Sequence, residues 1–193
     1  MRSLLYLVHR LPYPPNKGDK VRSYHLLRHL AERHRIFLGT FVDDPDDLRH
    51  LDVVRALCAE MHVERLHPSV ARLRSLAGLV TGEALTLPYY RDAGMQTWVD
   101  RTIANHRIDT AVLFSSPMVQ YVEHRRDIRK LVDFVDVDSA KWNQYATSRS
   151  WPLSWLYRRE GKRLLAYESA AAMRAHGVFF VTDAEVELFQ RLA

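Results

Sequence analysis

Apolar positions along the chain switch repeatedly between two periods. Ser3 to Val8 is a short apolar, β-prone run, and the proline-rich stretch Leu11 to Gly18 that follows can continue neither a strand nor a helix. From Asp19 the period becomes 3.6: Val21, Tyr24, Leu27, Leu30 and Ala31 recur three or four apart. With Asp19 as N-cap, this predicts an amphipathic helix to His34. Arg35 to Val42 returns to strand character. A helix of this length crosses over, so the two strands are expected to be parallel neighbours with a right-handed connection.

The same reading predicts helices over Pro45 to Ala59, Val70 to Val80 and Asp92 to His106, and a short one from Pro117. Two more are expected around Ser139 to Thr147 and Pro152 to Arg174, and a last one over Asp183 to Leu192. Strands are predicted at Val63 to His67, Thr110 to Phe114, Lys130 to Val135 and Gly177 to Val181. Ala111 to Phe114 is continuously apolar, as in a strand covered by helices on both faces. Repeated β/α alternation without an internal repeat implies an α/β fold with a doubly wound, mostly parallel sheet. Ligands of such sheets bind beyond the carboxyl ends of the strands, which places candidate residues in the loops after Val8, Phe114, Val135 and Val181.

Composition narrows the class. The 193 residues are 47% hydrophobic and 26% charged, a balance that buries a core, and the length suits one domain. Lys and Arg number 28 against 23 Asp and Glu, a net charge of +5 that favours anionic partners without choosing among them. A single cysteine, Cys58, excludes an internal disulfide and a cysteine zinc site and fits a reducing compartment. The N-terminal apolar run, Leu4 to Val8, is shorter than the roughly 7–15 residues of a secretory segment or the roughly 20 of a membrane span. The expected location is the cytoplasm, with contact to the inner face of the plasma membrane left open.

The first strand-end loop carries Lys17, Gly18, Asp19, Lys20 and Arg22 where a helix begins. Unpaired N–H groups and a partial positive charge make such a point an anion site, the alternative being a turn with solvated lysines. It contains neither the dinucleotide-binding G-x-G-x-x-G nor the P-loop pattern. After the 110–114 strand, Ser115 and Ser116 precede Pro117 and can cap a helix or bond a polar ligand; no G-x-S-x-G surrounds them. After the next strand, Asp133, Asp136 and Asp138 cluster with Ser139 and Trp142. Carboxylates at that point can bond sugar hydroxyls, act as a base or hold a cation, and Asp138 or Ser139 can equally be an N-cap. Asp136 and Asp138 are the candidate catalytic groups. Farther on, Tyr145, Trp151, Trp155 and Tyr157 interleave with Arg149, Arg158, Arg159, Lys162 and Arg163, a pattern of either a core helix with solvated charges or a face for a membrane or partner. His25 and His29 flank the apolar stripe of their helix without an H-E-x-x-H motif and predict no zinc. Glu160 and Glu168 form an E-x7-E spacing that we read as chance within a long helix.

The run His9 to Leu27, with its Pro-Tyr-Pro-Pro-Asn-Lys-Gly-Asp-Lys-Val-Arg core, resembles the opening of the bacterial sugar transferases of the PEP-CTERM/exosortase exopolysaccharide system in glycosyltransferase family 4. Asp133 to Trp142, Tyr167-Glu168 and Val181 to Glu185 are similar to later blocks of that family. The resemblance implies a GT-B enzyme, of which residues 1–193 would be the Rossmann-like N-terminal, acceptor-binding domain without the C-terminal donor-binding domain. It further implies a metal-independent, retaining hexosyl transfer from a nucleotide-sugar to a glycan or lipid-linked acceptor, with no cofactor; a nucleic-acid partner is not expected either, because that reading rests on net charge alone and the chain lacks a clustered reader helix or stacking sheet motif. This fragment alone would then be nearly inactive. Gly18 would let the backbone approach the donor, with Lys17, Lys20 and Arg22 near its phosphate and Thr182 at a later strand end. Many family members have two adjacent glycines where this chain has Gly18-Asp19, and a histidine where it has Ser115 and Ser116. The alternative from a different class is a non-catalytic module that docks an anionic membrane or protein through the basic loop and aromatic helix.

Overall fold

The computed structural model describes residues 1–193. The chain runs β1 (Arg2–Val8), α1 (Gly18–Ala31), β2 (His34–Val42), a 3-10 turn (Pro45–His50), α2 (Leu51–Arg55), β3 (Glu60–Arg65), α3 (Pro68–Ser75), α4 (Ala77–Thr81), α5 (Thr86–Tyr89) and α6 (Ala93–His106). It continues with β4 (Thr110–Phe114), a second 3-10 turn (Ser116–Tyr121), β5 (Arg129–Val135), α7 (Asp138–Thr147), α8 (Leu153–Arg174), β6 (Gly177–Phe180) and α9 (Asp183–Leu192). The six strands form one sheet in the order β3-β2-β1-β4-β5-β6, every pair parallel. This is the Rossmann-like α/β arrangement that the alternation predicts.

Side-chain alternation along β1 divides the core. Leu5 and Leu7 pack with Phe37, Met95, Trp98, Leu113 and Phe134 on one face, while Leu4, Tyr6 and Val8 pack with Leu27, Ile36, Leu38 and Phe114 on the other. With helices on both faces, β1 has no polar side, which is why it reads as an unbroken apolar run. Two glycines permit close approach. A Cβ on Gly39 would stand 2.8–2.9 Å from Leu7, Met95 and Trp98, and one on Gly161 would meet Asn143 and the Ser139 carbonyl, so these positions let α6 onto the sheet and α8 onto α7.

Four expected elements differ. The helix expected over Pro45 to Ala59 is a 3-10 turn, begun by Asp44 accepting from the Asp46 N–H, and one short helix; β3 accordingly starts at Glu60 rather than Val63. The helix expected over Val70 to Val80 is split into α3 and α4, and Gly82 ends α4 with φ of 80°. Asp19 is not the N-cap of α1; Lys17 holds that position without a side-chain cap, and Asp19 lies in the first turn.

Candidate functional site

The chain leaves β1 for one half of the sheet and returns through β4 to build the other, so a crevice opens between them at the carboxyl ends of the strands. A cleft of about 840 Å³ occupies it, a volume suited to a small ligand. His9 and Arg10 enter it from the end of β1, Ser115 from β4, and Val135 and Asp136 from β5. The walls are α7 with Lys141, Trp142 and Tyr145, and α8 with Tyr157 and Glu160.

Most charged groups here have a defined partner. The Arg10 guanidinium donates to Asp19 at 3.2 Å and to Asp43 at 3.0 Å, and His9 Nε2 is 3.5 Å from the same Asp19 oxygen. The His9 hydrogen bond, helped by Arg10, holds the Asp19 carboxyl well below the usual carboxylate range despite its partial burial. The His9 ring stacks on Phe114 and meets Tyr90 edge-on, which leaves its buried Nδ1 without a partner in the protein. Lys141 Nζ donates to Asp136 at 2.7 Å and Asp138 at 3.1 Å. Burial by itself would lower the Lys141 ammonium; the two carboxylates outweigh it and raise it. The Glu160 carboxylate, buried, accepts from the N–H groups of Leu85 and Thr86 and from the Thr86 hydroxyl at 2.7 Å, fixing α5 against α8. Trp142 packs on Tyr157 with ring centroids 5.3 Å apart.

Two strand ends are conformationally unusual. Ser115 has φ of 75° and Val135 φ of 70°, a region that a β-branched residue rarely enters. Asp133 links them: its carbonyl accepts from the Ser115 N–H, and its carboxylate accepts from the Val135 N–H and, at 2.8 Å, from Arg22.

Of the residues expected from sequence, Asp19, Ser115, Asp136, Asp138 and Trp142 do border the cleft. Ser116 and Ser139 are buried beneath it, where the Ser139 hydroxyl donates to Glu168 at 2.6 Å. The structure places the cations of the first loop away from the cleft. The Lys20 ammonium is buried against Asp47, Arg22 is bound to Asp133, and Lys17 and Gly18 are exposed outside the cleft. The charge facing the start of α1 from within the cleft is cationic because the anion there is the chain's own Asp19. Thr182 is used as the N-cap of α9, accepting from the Glu185 N–H, and does not border the cleft. Glu160 and Glu168 are not an idle spacing: both are buried, and both fix α8 to the site. His9, Arg10 and Lys141 were within reach of sequence reading, the first two directly following a strand end and the third three residues after Asp138.

No family model matches the chain, and no curated protein matches it. Among solved structures the chain is similar to the N-terminal domain of trehalose-6-phosphate phosphatase from Candida albicans, with a TM-score of 0.53 and 11% identity. The match covers all of this chain and 42% of that one. The resemblance to glycosyltransferase family 4, and the transferase activity it implied, are corrected by these findings: the structural neighbour is a domain of a phosphatase, not of a glycosyltransferase. At that identity the likeness establishes the fold, and the chain has a Rossmann-like α/β fold.

Proposed function

We propose that this domain binds a neutral, polyhydroxylated ligand of the saccharide class in the cleft at the carboxyl ends of β1, β4 and β5. The observation that carries the reading is the wall of α7 and α8, where the Trp142 and Tyr157 rings stand beside the Asp136–Lys141–Asp138 cluster. An aromatic face packs on the C–H face of a sugar ring, and a fixed carboxylate and ammonium accept from and donate to neighbouring hydroxyls. Charge favours a neutral ligand over a phosphorylated one. The cations Arg10, Arg72 and Lys141 face the carboxylates of Asp19, Asp136, Asp138 and Glu160, so the lining is net acidic before His9 is counted. A phosphate would meet Arg10 and Lys141 already neutralised within the protein, with Arg72 the unpaired cation of the lining, whereas hydroxyls can join the existing ion pairs. The structural neighbour is named for trehalose-6-phosphate, which is compatible with a sugar ligand; the reading rests on the cleft of this chain.

Calorimetry and tryptophan emission with neutral oligosaccharides, sugar phosphates and inorganic phosphate test it. Saturable binding of a neutral saccharide is expected, weakened about tenfold or more, a loss of about 1.4 kcal/mol, by Trp142→Ala and by Asp136→Asn. Far-UV circular dichroism should be unchanged in both variants. Tighter binding of inorganic phosphate than of any neutral saccharide, or no saccharide binding, overturns the reading.

A further inference from the structure

The surface beside the cleft mouth has a composition that saccharide binding does not explain. Nine of the sixteen exposed large apolar side chains of the protein fall in two stretches, residues 68–81 and 139–159. Val80 is 91% exposed, Trp151 81%, Leu73 72% and Trp155 53%. The same two stretches contain six Lys and Arg and no Asp or Glu, in a chain whose whole net charge is +5, so everything else in the molecule sums to slightly negative. Apolar and cationic groups are therefore concentrated together.

Tertiary structure brings the two stretches side by side. The Arg159 guanidinium of α8 donates to the carbonyls of Gly78 at 2.6 Å and Glu83 at 3.1 Å, tying α8 to α4. Leu76 of α3–α4, Tyr145 of α7 and Leu153 of α8 border the same cleft mouth. Around this seam Arg72, Arg149 and Arg158 are exposed and pair with no carboxylate. Arg74 and Arg159 bond only main-chain carbonyls and keep their charge unneutralised.

From this juxtaposition we propose that the rim formed by α3, α4 and the α7–α8 junction is a docking surface for an anionic lipid bilayer. Tryptophan belongs at the boundary between headgroups and acyl chains, and protruding leucine and valine side chains enter the hydrocarbon edge. Arginines beside them meet lipid phosphates, an attraction that acts within a Debye length of an anionic surface. A nucleic acid would use the arginines and leave the aliphatic side chains in water. No helix of the protein is long and apolar enough to cross a membrane, so the contact is peripheral. This inference stands apart from the proposed ligand, because Trp151 and Trp155 do not border the cleft.

The test is cosedimentation of the whole chain with vesicles of phosphatidylglycerol and phosphatidylcholine, against vesicles of phosphatidylcholine alone. Preferential binding to the anionic vesicles is expected, with a blue shift of tryptophan emission and weakening as salt is raised. Trp151→Ser with Trp155→Ser, and separately Arg149→Glu with Arg158→Glu, should each lower the binding about tenfold or more. All four side chains are exposed, and unchanged circular dichroism confirms the fold. Equal binding to both vesicle types, no binding to either, or binding undiminished by the tryptophan pair overturns the proposal. So does concentration-dependent self-association that the tryptophan pair abolishes while vesicles are ignored. Saccharide binding should survive in both double variants, and vesicle binding should survive in Trp142→Ala, so failure of one reading is distinguishable from failure of the other.

Discussion

The Lys20 ammonium lies 2.6 Å from the Asp47 carboxylate, and both side chains are buried. A loop cation that reads as a phosphate contact is therefore an internal counter-ion, anchoring α1 to the 3-10 turn after β2. Removing one partner leaves the other charge buried and alone. Lys20→Met should lower unfolding free energy by about 3–5 kcal/mol, while Lys20→Met with Asp47→Leu should recover most of that loss. Urea unfolding of the single and double variants measures both, and a single-variant loss below about 1 kcal/mol would show that the pair is not desolvated as the structure has it.

Glu168 supplies a pH signature. Burial pushes its carboxyl up to about 8 from an ordinary 4.5, with the Ser139 hydrogen bond opposing and Asp138 adding to the rise. The folded state holds this proton more tightly than the unfolded chain. The contribution of Glu168 to stability is thus fully present below 4.5 and is lost as pH rises toward about 8. Across that window the wild type should lose on the order of 1.4 kcal/mol per pH unit relative to Glu168→Gln, and the difference should level off above it. Parallel urea titrations of the two proteins over the window decide; a constant difference would place the Glu168 carboxyl in an ordinary range.

Val135 tests whether strain is stored at the cleft. Ordinarily Gly in a strand is about 0.5–1 kcal/mol less stable than Ala. At φ of 70° the order should reverse, because Ala keeps the Cβ that crowds the following carbonyl and Gly does not. We expect Val135→Gly to exceed Val135→Ala in stability by about 1 kcal/mol, as read from thermal unfolding. Ala above Gly would show the backbone there to be unstrained.

Gly39 reports how tightly α6 lies on the sheet. A methyl group there would stand 2.8–2.9 Å from Leu7, Met95 and Trp98, well inside van der Waals contact. Gly39→Ala should therefore destabilise the protein by about 1–3 kcal/mol, contrary to the usual gain from replacing glycine. Unfolding midpoints with unchanged denaturant slope would establish this as a folded-state effect.

The strands and long helices were legible because their signals are local. Leu4 to Val8 and Ala111 to Phe114 are apolar at every position since both faces of the sheet are covered, and Asp92 precedes α6 as a side-chain cap accepting from the Met95 N–H. The apolar spacing from Pro45 to Ala59 allows one helix; the tight Asp44 cap and the pairing of β3 from Glu60 with Phe37 shorten it. Asp136, Asp138 and Trp142 could be placed at the cleft because they follow a strand end within a few residues. Glu160 and Glu168 could not: their partners, Thr86 and Ser139, lie 74 and 29 residues away.

The sequence by itself determined a parallel α/β sheet, the ends of strands at which ligand chemistry would gather, and an excess of cations. Only the tertiary structure decided which cations are free. Periodicity and capping act between neighbours and leave a mark at fixed spacing, whereas an ion pair such as Arg22 with Asp133 depends on where two distant segments meet. By pairing Lys20, Arg22 and Arg10 internally, the fold turned a basic loop into scaffold. It left the unpaired arginines beside the exposed tryptophans, on the rim of the cleft rather than at its floor.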